Sequence, residues 1–170
     1  MLMVLVCGSQ LSHGEELDCE FGELYYPIFG WLYSCEVTSL DNPLNNLTID
    51  GYSGEHKANK NDADVKAIWI HDTNTKYIPM NLGSFSNLTN LYMGNTQLVE
   101  IKAKDFHGMQ NLEILSFYKN KLSSVPLDAF ATLTKLRFII LSFNQIEELP
   151  NGIFKNNSEL ERIRLWNNKI

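Results

Sequence analysis

Leu112-Glu-Ile-Leu-Ser-Phe117 and Leu136-Arg-Phe-Ile-Ile-Leu141 are two copies of one hexapeptide pattern, 24 residues apart. The same pattern begins at Leu88 and at Leu160, so four consecutive lines share this period. A fixed period of this length indicates a chain built from stacked copies of one structural unit. Within each line the apolar residues alternate, as in a short strand with one face turned inward. One unit cannot bury its apolar face alone, so the pattern predicts a stack with a shared core.

Each line continues with further residues at fixed distances from its opening leucine. An asparagine follows the strand in three lines, and its amide can bond backbone groups that are left unpaired where the chain turns. A phenylalanine in the return segment is predicted to fill the wider side of the unit opposite the strand. The positions are Asn120, Asn144 and Asn168 for the turn, and Phe106, Phe130 and Phe154 for the return segment.

Two weaker lines precede this regular array. Leu44–Ile49 and Val65–Ile70 fit the strand pattern, but their spacings of 21 and 23 residues show that the register drifts toward the N-terminus. We therefore predict repeats over residues 44–170, about five and a half in number, with the last one incomplete. Residues 15–43 are predicted to form an N-terminal cap.

The N-terminus and the cysteines indicate an exported chain. Met1–Cys7 is apolar and small residues follow it, which is typical of a short secretory signal peptide, here predicted over residues 1–14. A frayed start and a truncated gene model are the alternatives. If Cys7 is removed with the signal, Cys19 and Cys35 remain as a pair. In an oxidising compartment we expect a disulfide between them, worth roughly 3 kcal/mol in the chain-entropy model. The aromatic residues around this pair would then cover the open edge of the first repeat.

Three sequons predict N-linked glycosylation of an exported chain, at Asn46, Asn87 and Asn156. Asn87 and Asn156 fall in return segments, where a glycan would point away from the strands. Asn46 falls inside the first weak strand, so its use as an acceptor is the less certain of the three.

Composition and motifs exclude several function classes. The formal net charge of −6 argues against nucleic acid as the main partner. The sequence contains no run of 18 apolar residues, so it predicts no membrane-spanning helix. His71 and Asp72 are adjacent, so their side chains are expected either on opposite sides of a strand or at its end. No arrangement typical of a catalytic, metal or phosphate site is found. We expect no enzyme activity, no cofactor and no metal.

The outward positions of the strands form a candidate binding face. Aromatic and arginine side chains are the usual energetic anchors of interfaces, and a contiguous apolar patch usually marks a binding site. The alternative is that a soluble repeat protein exposes some aromatics, or hides them against further repeats. The predicted ligand-binding residues are Trp69, His71, Tyr92, Tyr118, Lys119, Phe138, Ile140, Phe143, Arg162, Arg164 and Trp166. Arg162 and Arg164, with Arg137 and Lys119 before them, are expected to make this end of the face mildly basic, which suits an acidic partner segment.

The L-x-x-L-x-L-x-x-N-x-L lines, with the phrases Leu149–Phe154 and Asn167–Ile170, resemble extracellular leucine-rich repeat proteins of the typical 24-residue class. The chain is similar to insect secreted leucine-rich repeat proteins and, more distantly, to Toll-like receptor ectodomains. The resemblance implies an α/β leucine-rich repeat solenoid, or horseshoe, with a parallel concave β-sheet and an irregular or 3-10 convex side.

The resemblance also implies function. It suggests a secreted module that recognises a protein or glycan ligand on the concave face, in innate immunity, cell adhesion or developmental signalling. The second candidate is the N-terminal part of a membrane receptor or adhesion ectodomain. Two features depart from the family pattern: the cap has two cysteines where four are common, and the sequence stops at Ile170 inside a repeat. We therefore expect a fragment, or an uncapped end that mediates dimer formation.

Overall fold

A computed structural model describes residues 15–26, 29–39, 49–53, 55–80 and 82–170 of the chain. The predicted signal peptide, residues 44–48 and the sequon at Asn46 lie outside these residues. Within them, eight strands form one sheet in the order β3-β1-β2-β4-β5-β6-β7-β8. The strands are β1 (Glu15–Tyr26), β2 (Gly30–Ser39), β3 (Ile49–Ser53), β4 (Ala67–His71), β5 (Asn90–Gly94), β6 (Ile114–Ser116), β7 (Phe138–Ile140) and β8 (Arg162–Arg164). Short 3-10 helices span Asp62–Asp64, Leu82–Ser84 and Ala103–Phe106.

The repeat strands stack in parallel and in register. The second apolar residue of each line pairs with its counterpart in the next line, from Ile68 through Leu91, Leu115 and Ile139 to Ile163. The first four of these side chains have no exposed surface, and each such burial contributes about 2 kcal/mol. The return segments contain 3-10 helices and turns where an α/β unit would have α-helices. The structure confirms the predicted leucine-rich repeat solenoid.

The phenylalanine column fills the interior behind the strands. The ring centroids of Phe106 and Phe130 are 6.1 Å apart, and those of Phe130 and Phe154 are 5.8 Å apart in a stacked arrangement. Phe106 and Phe130 are completely buried, while Phe154 is partly buried and packs against the same core. Each of these repeats therefore contributes one ring to the column, and the nearly constant distance between rings reflects the regular stacking of the repeats.

The turn asparagines join each repeat to the one before it. The Oδ1 atom of Asn144 accepts a hydrogen bond of 3.0 Å from the backbone N–H of Leu122. Its Nδ2 atom donates to the carbonyl oxygens of Phe117 and Leu141, at 2.9 and 3.0 Å. Asn120 and Asn168 make the corresponding bonds to the repeats that precede their own. Each amide thus pairs backbone groups that the turn leaves without a partner.

The cap is a β-hairpin that extends the repeat sheet. β1 and β2 pair antiparallel, and β2 then pairs in parallel with β4, so that Cys35 lies beside Ile68. The expected disulfide between Cys19 and Cys35 is present and links the two strands of the hairpin. Phe21 and Tyr33 pack with the cysteines against the repeat core. The hairpin therefore covers the apolar edge of the first stacked repeat.

The first weak line does not lie where its place in the sequence suggests. The strand observed in this region is β3, which begins at Ile49, where the predicted strand Leu44–Ile49 would end. β3 pairs with β1 at the outer edge of the sheet and has no pairing with β4. A strand offers two hydrogen-bonding edges, and β2 of the cap already occupies the free edge of β4. The chain therefore has to run from β3, on one side of the cap hairpin, to β4 on its other side.

Candidate functional site

A groove of about 570 Å³ lies on the concave face of the sheet. It is lined mainly by side chains that project outward from successive strands, and these are set by the alternation of each strand. In β4, Ile68 and Ile70 are buried, while Trp69 and His71 between and after them are half-buried and face the groove. Seven of the predicted binding residues line it, namely Trp69, His71, Tyr92, Tyr118, Ile140, Arg164 and Trp166. Lys119, Phe138, Phe143 and Arg162 lie outside its lining.

Aromatic rings occupy the part of the groove near the cap. The rings of Trp69 and Tyr92 stack with centroids 4.8 Å apart and an interplanar angle of 24°. This distance matches the spacing of adjacent strands, because the two residues are register partners in β4 and β5. The Nδ2 atom of Asn90 donates to the Tyr92 hydroxyl at 3.3 Å. Burial raises the pKa of Tyr92, so its hydroxyl stays protonated at neutral pH.

A second aromatic cluster lies toward the C-terminal strands. The ring centroid of Phe143 is 5.2 Å from that of Tyr118 and 4.9 Å from that of Trp166, both edge to face. Tyr118 and Trp166 are exposed, at 38% and 53%. Phe143 has a φ of +58°, a left-handed backbone conformation that is strained for a bulky residue. The equivalent position carries asparagine in two other repeats, as Asn95 and Asn167, and asparagine tolerates this conformation well.

His71 is the centre of a polar cluster at the cap end of the groove. Its Nε2 atom lies 2.9 Å from the Glu36 carboxylate, and its Nδ1 atom lies 2.9 Å from that of Asp72. Of the two arrangements expected for His71 and Asp72, the second is observed: His71 ends β4, and Asp72 turns back with a φ of +54°. Asn95 donates a hydrogen bond of 2.6 Å to the other oxygen of Asp72.

These contacts shift the protonation equilibria of the cluster. The hydrogen bond to Asp72, followed by that to Glu36, raises the pKa of His71 above its usual value of 6.5. The hydrogen bond from His71, followed by that from Asn95, lowers the pKa of Asp72. Both shifts favour the ion pair over the neutral pair. The cap end of the groove therefore holds two carboxyl groups around one imidazole whose protonated form is favoured by its partners.

Several groove residues were not predicted. Leu24 and Glu36 come from the cap hairpin, and Asp72 and Asn95 come from turns after strands. The sequence reasoning considered only the repeats as a source of binding residues, whereas the cap strand β2 belongs to the same sheet. One signal was available, since Cys35 must point inward to form its disulfide and its neighbour Glu36 must then point outward.

The arginines divide into a neutralised and an unneutralised set. Arg137 lies between Glu113 and Glu161, with nitrogen–oxygen distances of 3.4 and 2.6 Å. Arg137 therefore adds no unbalanced positive charge to the end of the face that was predicted to be basic. The Arg162 guanidinium lies 5.9 Å from the centre of the Phe138 ring. Within the described part of the chain, Arg162 and Arg164 form no ion pair, and both are exposed.

The two sequons in the described residues are exposed. The Nδ2 atom of Asn87 donates to the carbonyl oxygen of Ala63 at 2.9 Å, and that of Asn156 donates to Ala131 at 3.1 Å. An amide nitrogen carries two hydrogens, so attachment of a glycan would leave one for the existing bond. Both sites are therefore sterically and chemically compatible with glycosylation.

The described ranges were also searched for metal and membrane sites. They contain no group of three or more histidine, cysteine, aspartate or glutamate side chains that could hold a metal ion. No helix in the same ranges has the length and apolar character needed to cross a bilayer.

Comparison with known proteins shows what the repeats are similar to. Residues 86–146 match the leucine rich repeat family model. Mouse podocan is 34% identical over 98 residues, which make up 56% of this chain and 16% of podocan. An adenylate cyclase of Podospora anserina is 27% identical over 129 residues, 63% of this chain but only 6% of the cyclase. The chain thus spans a small part of these relatives.

The solved structures include a complex in which one chain has the same fold. The structure of the Toll–Spätzle complex, described as a molecular hub in Drosophila development and innate immunity, superposes with a TM-score of 0.60 and 27% sequence identity. The superposition covers 74% of this chain and 17% of the matched chain. The predicted resemblance to extracellular leucine-rich repeat proteins and Toll-like ectodomains is confirmed.

Proposed function

We propose that this chain, whose residues 86–146 are leucine-rich repeats, is an extracellular module that binds a protein or glycan ligand in its concave groove. The observation that carries the proposal is the groove itself, which is lined by the stacked Trp69–Tyr92 pair at one end and by Tyr118 and Trp166 toward the other, where both rings pack on Phe143 beside the lining. Exposed aromatic side chains next to unneutralised arginines are the usual anchors of an interface. Trp166 packs on Phe143 and Tyr118 and is still 53% exposed, so its indole is accessible to a ligand.

An extracellular location is part of the same proposal. The disulfide between Cys19 and Cys35 is stable in oxidising compartments, and the exposed sequons at Asn87 and Asn156 suit a chain that passes through the secretory pathway. Expression in eukaryotic cells tests this. We expect secretion, and a shift in gel mobility when Asn87→Gln and Asn156→Gln remove the acceptors. Retention in the cytosol with both thiols reduced would contradict it.

Site-specific photo-crosslinking tests the binding surface. A photoreactive phenylalanine analogue at Tyr118 lies in the groove, and the same analogue at Leu127, which is 51% exposed, lies in a return segment as the matched control. On cells of the source organism, we expect a discrete adduct from position 118 that Trp166→Ala weakens, and none from position 127. Equal crosslinking from both positions would mean that the groove is not the binding surface.

A second candidate is that the chain is the N-terminal part of a receptor ectodomain, with innate immunity as one setting. The superposition on the Toll chain over 74% of the residues favours it. The transcript read past position 170 separates the two candidates. Further repeats, a cysteine-containing cap and a stop favour the secreted binder, and about 20 consecutive apolar residues favour the receptor.

A further inference from the structure

The groove carries opposite charges at its two ends. Glu36 and Asp72 lie at the cap end, where two carboxyl groups contact the single imidazole of His71, so these contacting groups together carry a net negative charge when both carboxyls are ionised. Lys119, which lies outside the lining, exerts the weakest of the charge effects on Asp72. Arg164 lies at the other end of the groove lining, and Arg162 is its neighbour on the same face of β8. The lining therefore changes sign along the stacking direction of the strands.

The middle of the groove is largely uncharged. Between the two ends its lining comes from Tyr92, Ser116, Tyr118 and Ile140, none of which carries a charge at neutral pH. A partner crossing this stretch would bury apolar surface in the centre and place its charges at the ends. That is the usual arrangement of an interface, with an apolar centre and a polar rim.

The distance between the charged ends follows from the sheet. Five strand spacings separate β2, which carries Glu36, from β8, which carries Arg164. At about 4.8 Å per spacing, the ends lie roughly 24 Å apart. An extended peptide advances about 3.3 Å per residue, so this distance corresponds to roughly seven residues.

We propose that the occupant of the groove is an extended protein segment with a basic side chain and an acidic side chain roughly seven residues apart. Its basic group lies against Glu36 and Asp72, and its acidic group lies against Arg162 and Arg164. This inference rests on the proposed function and narrows its ligand class. A sulfated or otherwise anionic glycan matches the arginine end but is repelled by the cap end, so the charge pattern favours a protein.

Peptide pools with fixed charges test the inference. Four pools of labelled peptides, each about 12 residues long, have two fixed positions roughly seven residues apart. The two mixed pools have Lys at the first position and Glu at the second, or the reverse order. The two like-charged pools have Lys at both positions or Glu at both. The other positions are the same random mixture in all four. Both mixed pools are expected to bind, because the peptide direction in the groove is not fixed by the charges. The affinity of each pool for the full chain is measured by fluorescence anisotropy. We expect the mixed pools to bind roughly tenfold tighter than either like-charged pool, because each charged contact should change the affinity about threefold.

Charge variants make the test specific. The double variant Arg162→Glu with Arg164→Glu replaces exposed side chains and is expected to make the two-Lys pool the tightest binder. Lys155→Glu, an exposed change in a return segment, is the matched control and should leave the ranking of the pools unchanged. Thermal melting of each variant verifies that the fold is retained.

The outcomes separate this inference from the proposed function. Pools that bind equally well, but lose affinity with Trp166→Ala, would overturn the charge pattern and leave groove binding intact. Tightest binding by the two-Glu pool, with heparin competing for the same site, would replace the dipolar protein segment by an anionic ligand. Binding by no pool, or binding that Trp166→Ala does not weaken, would count against both.

Discussion

The two halves of the repeat stack are held together by different chemistry. In the C-terminal half, Asn120, Asn144 and Asn168 each bridge to backbone groups of the preceding repeat. In the N-terminal half, threonine stands at the same position, and the hydroxyl of Thr73 shares a hydrogen bond with that of the nearby Thr75. The first repeats are instead joined to a hairpin with a covalent crosslink. The same strand stacking is thus stabilised by buried amides in one half and by a disulfide-linked cap in the other.

The largest effect that should separate the halves is the loss of a bridging amide. Asn144→Ala leaves the buried N–H of Leu122 and the carbonyl of Phe117 without these partners, while the carbonyl of Leu141 keeps its hydrogen bond from Asn168. Each unsatisfied buried group costs about 1–3 kcal/mol, so we expect the free energy of unfolding to fall by about 4 kcal/mol. Urea denaturation measures it. Thr73→Ala is the matched change in the other half and should cost less than about 1 kcal/mol; similar losses would mean that the amides have no special role.

Removal of the disulfide should affect the opposite half. Cys19→Ala with Cys35→Ala opens the crosslink of the hairpin and is expected to cost about 3 kcal/mol. Since repeats contact mainly their neighbours, the loss should be local. Hydrogen exchange is expected to show faster exchange in β2 and β4 and unchanged protection in β6 and β7. Uniformly faster exchange along the whole stack would show that it unfolds as one unit.

A smaller, pH-dependent effect is expected at the junction of the cap and the repeats. The imidazole of His71 is hydrogen-bonded to Asp72 and Glu36, and these bonds raise the pKa of His71 in the folded state above 6.5. Protonation is therefore more favourable in the folded chain. This stabilisation is complete below about pH 6.5 and disappears as the pH rises through the folded-state pKa. The melting temperature of the wild-type chain should exceed that of His71→Gln. This difference should be larger at about pH 5.5 than at about pH 9. A gap that is constant or grows with pH would contradict this.

The smallest effect on stability is expected at Phe143. Phe143→Asn relieves the left-handed strain but removes ring contacts with Tyr118 and Trp166. These effects oppose each other, so the free energy of unfolding should change by less than about 1 kcal/mol. Binding of the mixed-charge peptide pools should nevertheless weaken, because the aromatic cluster loses its central ring. A large loss of stability with unchanged binding would mean that Phe143 serves the fold alone.

The repeat period was sufficient to predict the strand stacking, because a stack with one strand per period repeats the same local contacts. The outward column Trp69, Tyr92, Ser116, Ile140 and Arg164 follows from strand alternation alone, and the structure places all five in the groove. The disulfide could be predicted by elimination of Cys7. These features depend on interactions between one repeat and the next, which a single sequence displays directly.

The remaining features depend on contacts between segments that the period does not relate. The position of β3 beside β1 could not be predicted, because it depends on which strand occupies the edge of β4. Glu36 was missed because it reaches the groove from the cap. The neutralisation of Arg137 was visible in part, since Glu113 and Glu161 are each one period away, but the charge estimate for the face counted only the basic residues.

The close contact between Gly83 and Gly108 has a consequence for the curvature of the stack. A Cβ atom built on Gly83 would lie 2.1 Å from the carbonyl oxygen of His107, so two return segments touch here through their backbones. A repeat stack bends because its return side is wider than its strand side. Where the return side is narrowed to backbone contact, the bend is reduced, and this step lies between the repeats that carry Trp69 and Tyr92. We therefore expect the surface under that stacked pair to be flatter than the rest of the arc, so that an extended partner segment can contact the indole and the phenol together.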